Sequence, residues 1–360
     1  MRSKYLLCAV SLLLAAACFA AEPAVKIGVS TSLTSDAGTY GLDMRDFMLF
    51  ASEKLAPGRY QLVFEDDRCS GKDAVSVAHK LINVDQVRYV TGFPCSGATL
   101  AALPIYEKAG VLTLVAFASS PRIADGGDFV FRTFPSDREA AGLLYRSMRR
   151  YSRIGVLSEL TEYAQDFKNA LREVAEAENR EVFTEDFLPR TIDFKTPLLN
   201  LKKKNIDALF INPQAEMAFV TVLKDLQDLH MKLPLFGAYW PGSPSLLKVA
   251  GKGMEAVTFV DSPALSEILN PDGRALYREF QQRFGEIRST ETAFASAFEA
   301  FRVLHLAIQS GQEPRQFLYE TKFNGIFGPY SFDEKGEIKG FSLVMKRIRN
   351  GRAELLLHGE

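Results

Sequence analysis

The chain is poor in the residues on which metal and redox chemistry draw. It holds four cysteines and four histidines in 360 residues. None of His79, His230, His305 and His358 stands at ligand spacing from a cysteine or another histidine, which argues against zinc. No Gly-x-Gly-x-x-Gly follows the first apolar run, so no dinucleotide cofactor is expected. Ser70-Gly71-Lys72-Asp73 has the look of a phosphate loop. However, the earlier glycine of that motif is replaced by Asp66, and no hydroxyl residue follows Lys72. A hydrolase triad needs a histidine near its nucleophile. His79, the nearest in sequence to Ser96, reads as a surface residue in mid-helix. An excess of one charge is missing too: the formal net charge is −1 and Lys202-Lys203-Lys204 is the one basic run, so nucleic acid is not an expected partner. Beyond the first twenty residues no apolar run is long enough to span a membrane.

What is there begins with an export signal. Arg2 and Lys4 precede a short apolar stretch, Leu6 to Ala17, and Cys18-Phe19-Ala20-Ala21 ends in small residues. Residues 1–21 read as a secretory signal peptide cut after Ala20 or Ala21. Lipoprotein processing at Cys18 is a weaker alternative, because Leu14 lies one place too far upstream. Removal of the signal takes Cys8 and Cys18 with it. Cys69 and Cys95 remain, and two cysteines in an exported chain are most simply one disulfide.

Apolar runs and helical periods then alternate. Val25–Ser30, Tyr60–Phe64, Arg88–Gly92, Val111–Val115 and Phe129–Phe134 read as strands separated by helices. The pattern restarts at Arg153–Leu157 and continues to Ala256–Val260, and two long helices follow at 271–284 and 292–309. Strands alternating with helices predict α/β architecture, with doubly wound parallel sheets in two lobes and a ligand cleft between them. The last helices lack strands of their own and should return to cover the first lobe.

Cys69 and Cys95 follow consecutive strands of one βαβ unit, so both thiols should lie at the C-terminal edge of the sheet, where α/β proteins bind ligands. Ser96 stands beside them at a helix start. It reads equally as an N-cap or as a hydroxyl facing an anion in the cleft. Asp66 and Asp67 are expected to orient loop N–H groups beside the bridge rather than to act as an acid–base pair.

Several segments carry a resemblance. These are Glu65-Asp66-Asp67-Arg68-Cys69 with Ala74 to Ile82, Gly92-Phe93-Pro94-Cys95-Ser96-Gly97-Ala98-Thr99, Ile105 to Leu112, Asp193 to Leu199 and Gly328 to Gly336. In order and across the mature chain, they resemble the leucine/isoleucine/valine-binding protein family, the type I periplasmic solute receptors of ABC transporters. The resemblance implies two Rossmann-like lobes joined by hinge strands, with residues 22–135 and 262–329 in lobe 1 and 136–261 and 330–360 in lobe 2. It implies a periplasmic monomer without catalysis or cofactor, handing a small molecule to an ABC permease. Its carboxylate-binding serine falls on Ser96. Its second rim loop falls on Ala118, through the carbonyl, and on Ser119, through hydroxyl and N–H. Its aromatic contacts fall on Tyr40 and Tyr163. The sequence departs from the family where an acid should meet a ligand ammonium: Ala238-Tyr239-Trp240-Pro241 has none. Tyr239 and Trp240 are expected to face the ligand instead. A carboxylate- or amide-bearing ligand with an apolar or aromatic remainder therefore fits better than a free amino acid. A sensor working with a signalling partner and an exported enzyme stand as alternative readings.

Overall fold

The computed structural model describes residues 24–356 apart from Asp36 and Ala215. The expected signal peptide, residues 1–21, and the alternative processing site at Cys18 lie outside the described residues. The first lobe is built on a five-stranded parallel sheet of β1 (Val25–Thr31), β2 (Tyr60–Asp66), β3 (Tyr89–Gly92), β4 (Leu112–Val115) and β5 (Val130–Arg132), in the order β2-β1-β3-β4-β5. Apart from the half-buried edge strand β2, its strands are largely buried on both faces, which is why they read as continuous apolar runs. Helices α1 (Gly38–Leu55), α2 (Gly71–Asn83) and α3 (Ser96–Lys108) cover it. The helices Pro271–Phe284 and Thr292–Gln309 return to this lobe, where Phe280, Phe294 and Phe298 pack on Phe47 and Phe50 of α1.

The second lobe contains α4 (Asp137–Met148), β6 (Ile154–Glu159), α5 (Glu162–Ala177), β7 (Val182–Phe187), β8 (Ala208–Asn212), β9 (Leu235–Ala238) and β10 (Thr258–Asp261). Three further strands follow: β11 (Phe323–Gly325), β12 (Gly328–Phe332) and β13 (Ile338–Lys339). They form a small antiparallel sheet that the periodicity did not predict, because each strand is very short and Pro329 sits inside one. Their side chains Tyr330, Phe332 and Ile338, with Phe341, join the first lobe's core. The expected lobe boundary at residue 330 is therefore too early. The chain enters the second lobe only with β14 (Val344–Arg349), which pairs antiparallel with β10 and with β15 (Arg352–Leu355). The second sheet runs β15-β14-β10-β9-β8-β6-β7. Crossings at residues 133–136, 262–264 and 342–343 join the lobes. The C-terminal ends of β2, β3 and β4 consequently face those of β6, β8 and β9 across the cleft.

Cys69 and Cys95 are bridged, with Cα atoms 5.4 Å apart. Asp66 accepts from the N–H groups of Leu33 and Arg68, and Asp67 from the Cys69 N–H and the Ser30 hydroxyl. Both acids thus orient the loop around the bridge, as the sequence suggested.

Candidate functional site

The first wall of the cleft is the loop after β4, Ala116 to Ser120. Its anchor is Ser96. Helix α3 begins at Ser96 itself, and no side chain caps it. The N-cap reading is therefore corrected: Ser96 Oγ accepts from the N–H groups of Ser119 at 3.3 Å and Ser120 at 3.2 Å. Two donated hydrogens leave the hydroxyl its own proton to donate.

The same loop is fastened from below by Arg132. Its wholly buried guanidinium donates to the carbonyls of Ser120 at 2.8 Å and Ala118 at 3.4 Å, and pairs with Glu337. Ser119 is tied twice to Asp137, the first residue of α4. Its hydroxyl donates to Asp137 Oδ2 at 2.8 Å, and its carbonyl accepts the Asp137 N–H at 2.8 Å. The Ala118 carbonyl and both donors of Ser119 thus have partners inside the protein, as polar groups this deeply buried must.

The second wall is aromatic. Tyr40 opens toward the cleft from the first turn of α1. A Cβ on its neighbour Gly41 would lie 1.5 Å from the Ser32 carbonyl oxygen, so only glycine lets α1 approach β1 this closely. The Tyr40 ring stacks on Phe117 at 5.6 Å and meets Trp240 edge-on at 5.0 Å, which joins lobe 1 to lobe 2. Tyr239 stands between β9 and the turn Trp240–Gly242 with φ at +60°, a region that bulky side chains rarely adopt. Its ring packs on Phe134, and its hydroxyl donates to Asp137 Oδ1 at 2.9 Å. Tyr163 lies in the first turn of α5. Burial pushes the phenols of Tyr40, Tyr163 and Tyr239 far above their ordinary pKa. Trp240 Nε1 lies beside the Tyr163 hydroxyl, yet Tyr40 Oη, Tyr163 Oη and Trp240 Nε1 are buried without a partner of hydrogen-bond geometry. Buried donors left without a partner are costly, at roughly 1–3 kcal/mol each.

The structure therefore brings Tyr40, Ser96, Ala118, Ser119, Tyr163, Tyr239 and Trp240 to one place, and adds three residues the sequence reading missed. Phe117 directly precedes the two rim-loop residues that the resemblance picks out. Arg132 lies inside the apolar run Phe129–Phe134 and carries no signal beyond strand. Asp137 had no signal beyond an acid in a helix's first turn. Asp137 matters most. The segment 238–241 has no acid, but Asp137 supplies a carboxylate directly behind Tyr239. Its full burial pushes its pKa up to about 7, against the pull of the Ser119 and Tyr239 hydroxyls and of the Arg132 charge.

The folded protein holds this proton more tightly than the unfolded chain does. The stability Asp137 contributes is thus complete below about pH 4 and lost as pH rises through 7. Asp137→Asn removes that loss. The melting temperature of the variant minus that of the wild type should accordingly be more positive at pH 8 than at pH 5. Thermal melts in matched buffers check this, and an unchanged difference would refute it.

At the outer rim, Arg122 of lobe 1 pairs with Glu162 and Asp166 of α5, and Gln214 donates to Cys69 Sγ at 3.2 Å. A groove of about 610 Å³ runs beside these contacts, lined by Gly71, Gly97, Thr161 and Gln165 among others. Among the described residues no cluster of three or more His, Cys, Asp or Glu side chains is placed to hold a metal.

The sequence profile of the periplasmic binding protein family matches residues 24–348. The Leu/Ile/Val-binding protein of Escherichia coli (strain K12) is 26% identical over 307 residues, covering 82% of this chain and 81% of the relative. The leucine-, isoleucine-, valine-, threonine-, and alanine-binding protein of Pseudomonas aeruginosa is 25% identical over 342 residues, 90% of each. Among solved structures, a leucine binding protein from Thermotoga maritima MSB8 superposes with a TM-score of 0.83 at 21% identity, over 92% of this chain and 98% of the other. A solute binding protein of an ABC transporter from R. palustris, in complex with benzoate, superposes with a TM-score of 0.81 at 16% identity, over 93% and 96%.

Proposed function

This chain belongs to the periplasmic binding protein family, in the leucine/isoleucine/valine-binding group with its type I two-lobed fold, and on that premise we propose that it is a solute receptor. It is exported to the periplasm, closes its lobes on a small ligand and delivers that ligand to an ABC permease without catalysis. The ligand bears a carboxylate or amide end, received by the Ser96 hydroxyl, whose proton is left to donate, and an apolar or aromatic remainder lying among Tyr40, Tyr163, Tyr239 and Trp240.

One observation carries this reading. Three aromatic side chains from two lobes present unpartnered polar tips, at Tyr40, Tyr163 and Trp240, to one buried place. Tyr163 and Trp240 stand close enough to serve each other in part, and a polar molecule seated among the three tips completes their pairing. The relatives named for branched-chain amino acids and the benzoate-bound neighbour are compatible with this ligand class.

The test is a thermal-shift screen of branched and aromatic carboxylates, amides and amino acids. A ligand at about 100 times its dissociation constant adds roughly 2.7 kcal/mol. Small-angle scattering with the hit should then show compaction. No hit in these classes, or a hit without compaction, would refute the reading.

Ser96→Ala is expected to weaken binding of the hit about 10-fold or more, because a charge-assisted hydrogen bond contributes roughly 1.5–3 kcal/mol. The fold should survive, although the Ser119 and Ser120 N–H groups lose their acceptor. Calorimetry beside a denaturation curve separates the two effects. Unchanged affinity would show that Ser96 serves the loop alone.

A further inference from the structure

Arg122 stands in the short 3₁₀ turn Pro121–Asp125 that follows the cleft loop of lobe 1. All the partners of its guanidinium among the described residues belong to lobe 2. Nε lies 3.1 and 3.0 Å from the two carboxylate oxygens of Asp166, and a terminal nitrogen donates to Glu162. Glu162 and Asp166 stand one turn apart on α5, so their carboxylates share the face that meets lobe 1. Asp166 is the better enclosed of the two, its side chain 12% exposed against 58% for Glu162, and it also accepts the Ser120 hydroxyl at 2.5 Å. The first turns of α3 and α5 touch beside this contact: a Cβ on Gly97 would lie 3.0 Å from Glu162 Cγ. In the second sheet β6, which leads into α5, lies three strands from β10, where the chain crosses between the lobes. At about 4.8 Å per strand that is a lever arm of roughly 14 Å. Opening at the crossings therefore carries both carboxylates out of hydrogen-bond reach of Arg122. Ser120 links the contact to the cleft. Its N–H donates to Ser96 Oγ at 3.2 Å, its hydroxyl donates to Asp166, and its carbonyl accepts from Arg132.

We propose that Arg122 and Ser120 of lobe 1 form a latch with Glu162 and Asp166 of lobe 2, one that exists only in the closed protein, holds part of the unliganded population closed and sets how slowly a bound solute leaves. Opening returns the guanidinium and both carboxylates to water on separate lobes. The latch acts on release more than on capture, because it is made only after the lobes have met. Arg122 and Glu162 are each more than half exposed, so salt screens the contact. A solute anchored at Ser96 steadies Ser120, and Ser120 in turn steadies Asp166. That link rests on the reading of Ser96 as the ligand anchor, whereas the latch itself does not.

The experiment has two arms. In the first, spin labels on Lys108→Cys in lobe 1 and Ala177→Cys in lobe 2, both exposed positions at the far ends of α3 and α5, report the interlobe distance of the unliganded protein by pulsed electron resonance. The wild type at low salt should show a closed population, and that fraction should fall at least about threefold at about 1 M salt, where the screening length is about 3 Å. Arg122→Gln and Asp166→Asn should each bring it to the high-salt level and abolish the salt response. Combining them should lower it no further, as expected of one shared interaction. A wild type without a closed population, or a fraction that salt and the two variants leave unchanged, overturns the latch. In the second arm, stopped-flow measurements follow capture and release of leucine and benzoate. Both variants should release a bound probe about fivefold faster or more, and Asp166→Asn should change capture by less than about twofold. Unchanged release with slower capture in Arg122→Gln would make Arg122 a charge that steers anions, and overturns the latch. If neither probe binds the wild type, the carboxylate reading of the cleft fails, and the first arm still decides the latch.

Discussion

Arg132→Met is expected to lower the stability of the folded protein by about 3–5 kcal/mol, the usual cost of leaving one partner of a buried ion pair uncompensated. Arg132 is wholly buried at the end of β5, where the chain leaves the first lobe. Its guanidinium pairs with Glu337 and donates to the carbonyls of Ala118 and Ser120, while its own N–H donates to the Gly336 carbonyl. Methionine fills a similar volume but leaves Glu337 and the Ala118 carbonyl without donors, while the Ser120 carbonyl keeps the Ile123 N–H. The double variant Arg132→Met, Glu337→Met should recover much of the loss, since no charge is then stranded. Denaturant titration measures both. A single-variant loss below about 1 kcal/mol would mean that the pair contributes no more than a surface salt bridge. The same substitution should weaken ligand binding, because the loop held by Arg132 is the one that Ser96 and Asp137 hold from the other side.

The second large effect is at the bridge. Cys69→Ser with Cys95→Ser is expected to cost roughly 3–4 kcal/mol, the chain-entropy value for a loop of this length, the two residues being 26 apart in sequence. The penalty should fall on the first lobe, because the bridge ties the start of α2 to the start of α3 and closes the cleft edge of that sheet. Unfolding curves with and without reductant give the number. Peptide mapping of the unreduced protein checks the pairing. Two free thiols in the exported protein would sink the claim, and so would identical curves.

Much of the architecture was legible in the residues. Parallel strands buried on both faces appear as unbroken apolar runs, so β1, β4, β6 and β8 could be read directly. Consecutive parallel strands end at the same sheet edge, so Cys69 and Cys95 meet there even though β1 lies between β2 and β3. Asp66 and Asp67 act through neighbours in sequence, so their role was visible locally. The small sheet of β11, β12 and β13 was not, because strands of two to five residues carry too little periodicity to register. That is also why the boundary at residue 330 was misplaced.

The sequence by itself pointed to an α/β chain with two lobes and one bridge, because those properties follow from period, spacing and residue type, whereas Tyr40, Ser119, Tyr163 and Tyr239 were picked out only through the family resemblance. The tertiary structure alone decided how the cleft is wired. Ser96 serves the 119–120 loop instead of its own helix, since two N–H groups from residues 23 and 24 positions away point at its oxygen. Asp137 lies 102 positions from Tyr239 and shares no motif with it, yet the crossing at residues 133–136 sets its carboxylate between Tyr239 and Ser119. Arg132 reaches 205 positions to Glu337. Hydrogen bonds act over about 3 Å and only between groups aimed at each other. Pairings of this kind depend on where the folded backbone brings distant residues, which composition and periodicity do not encode.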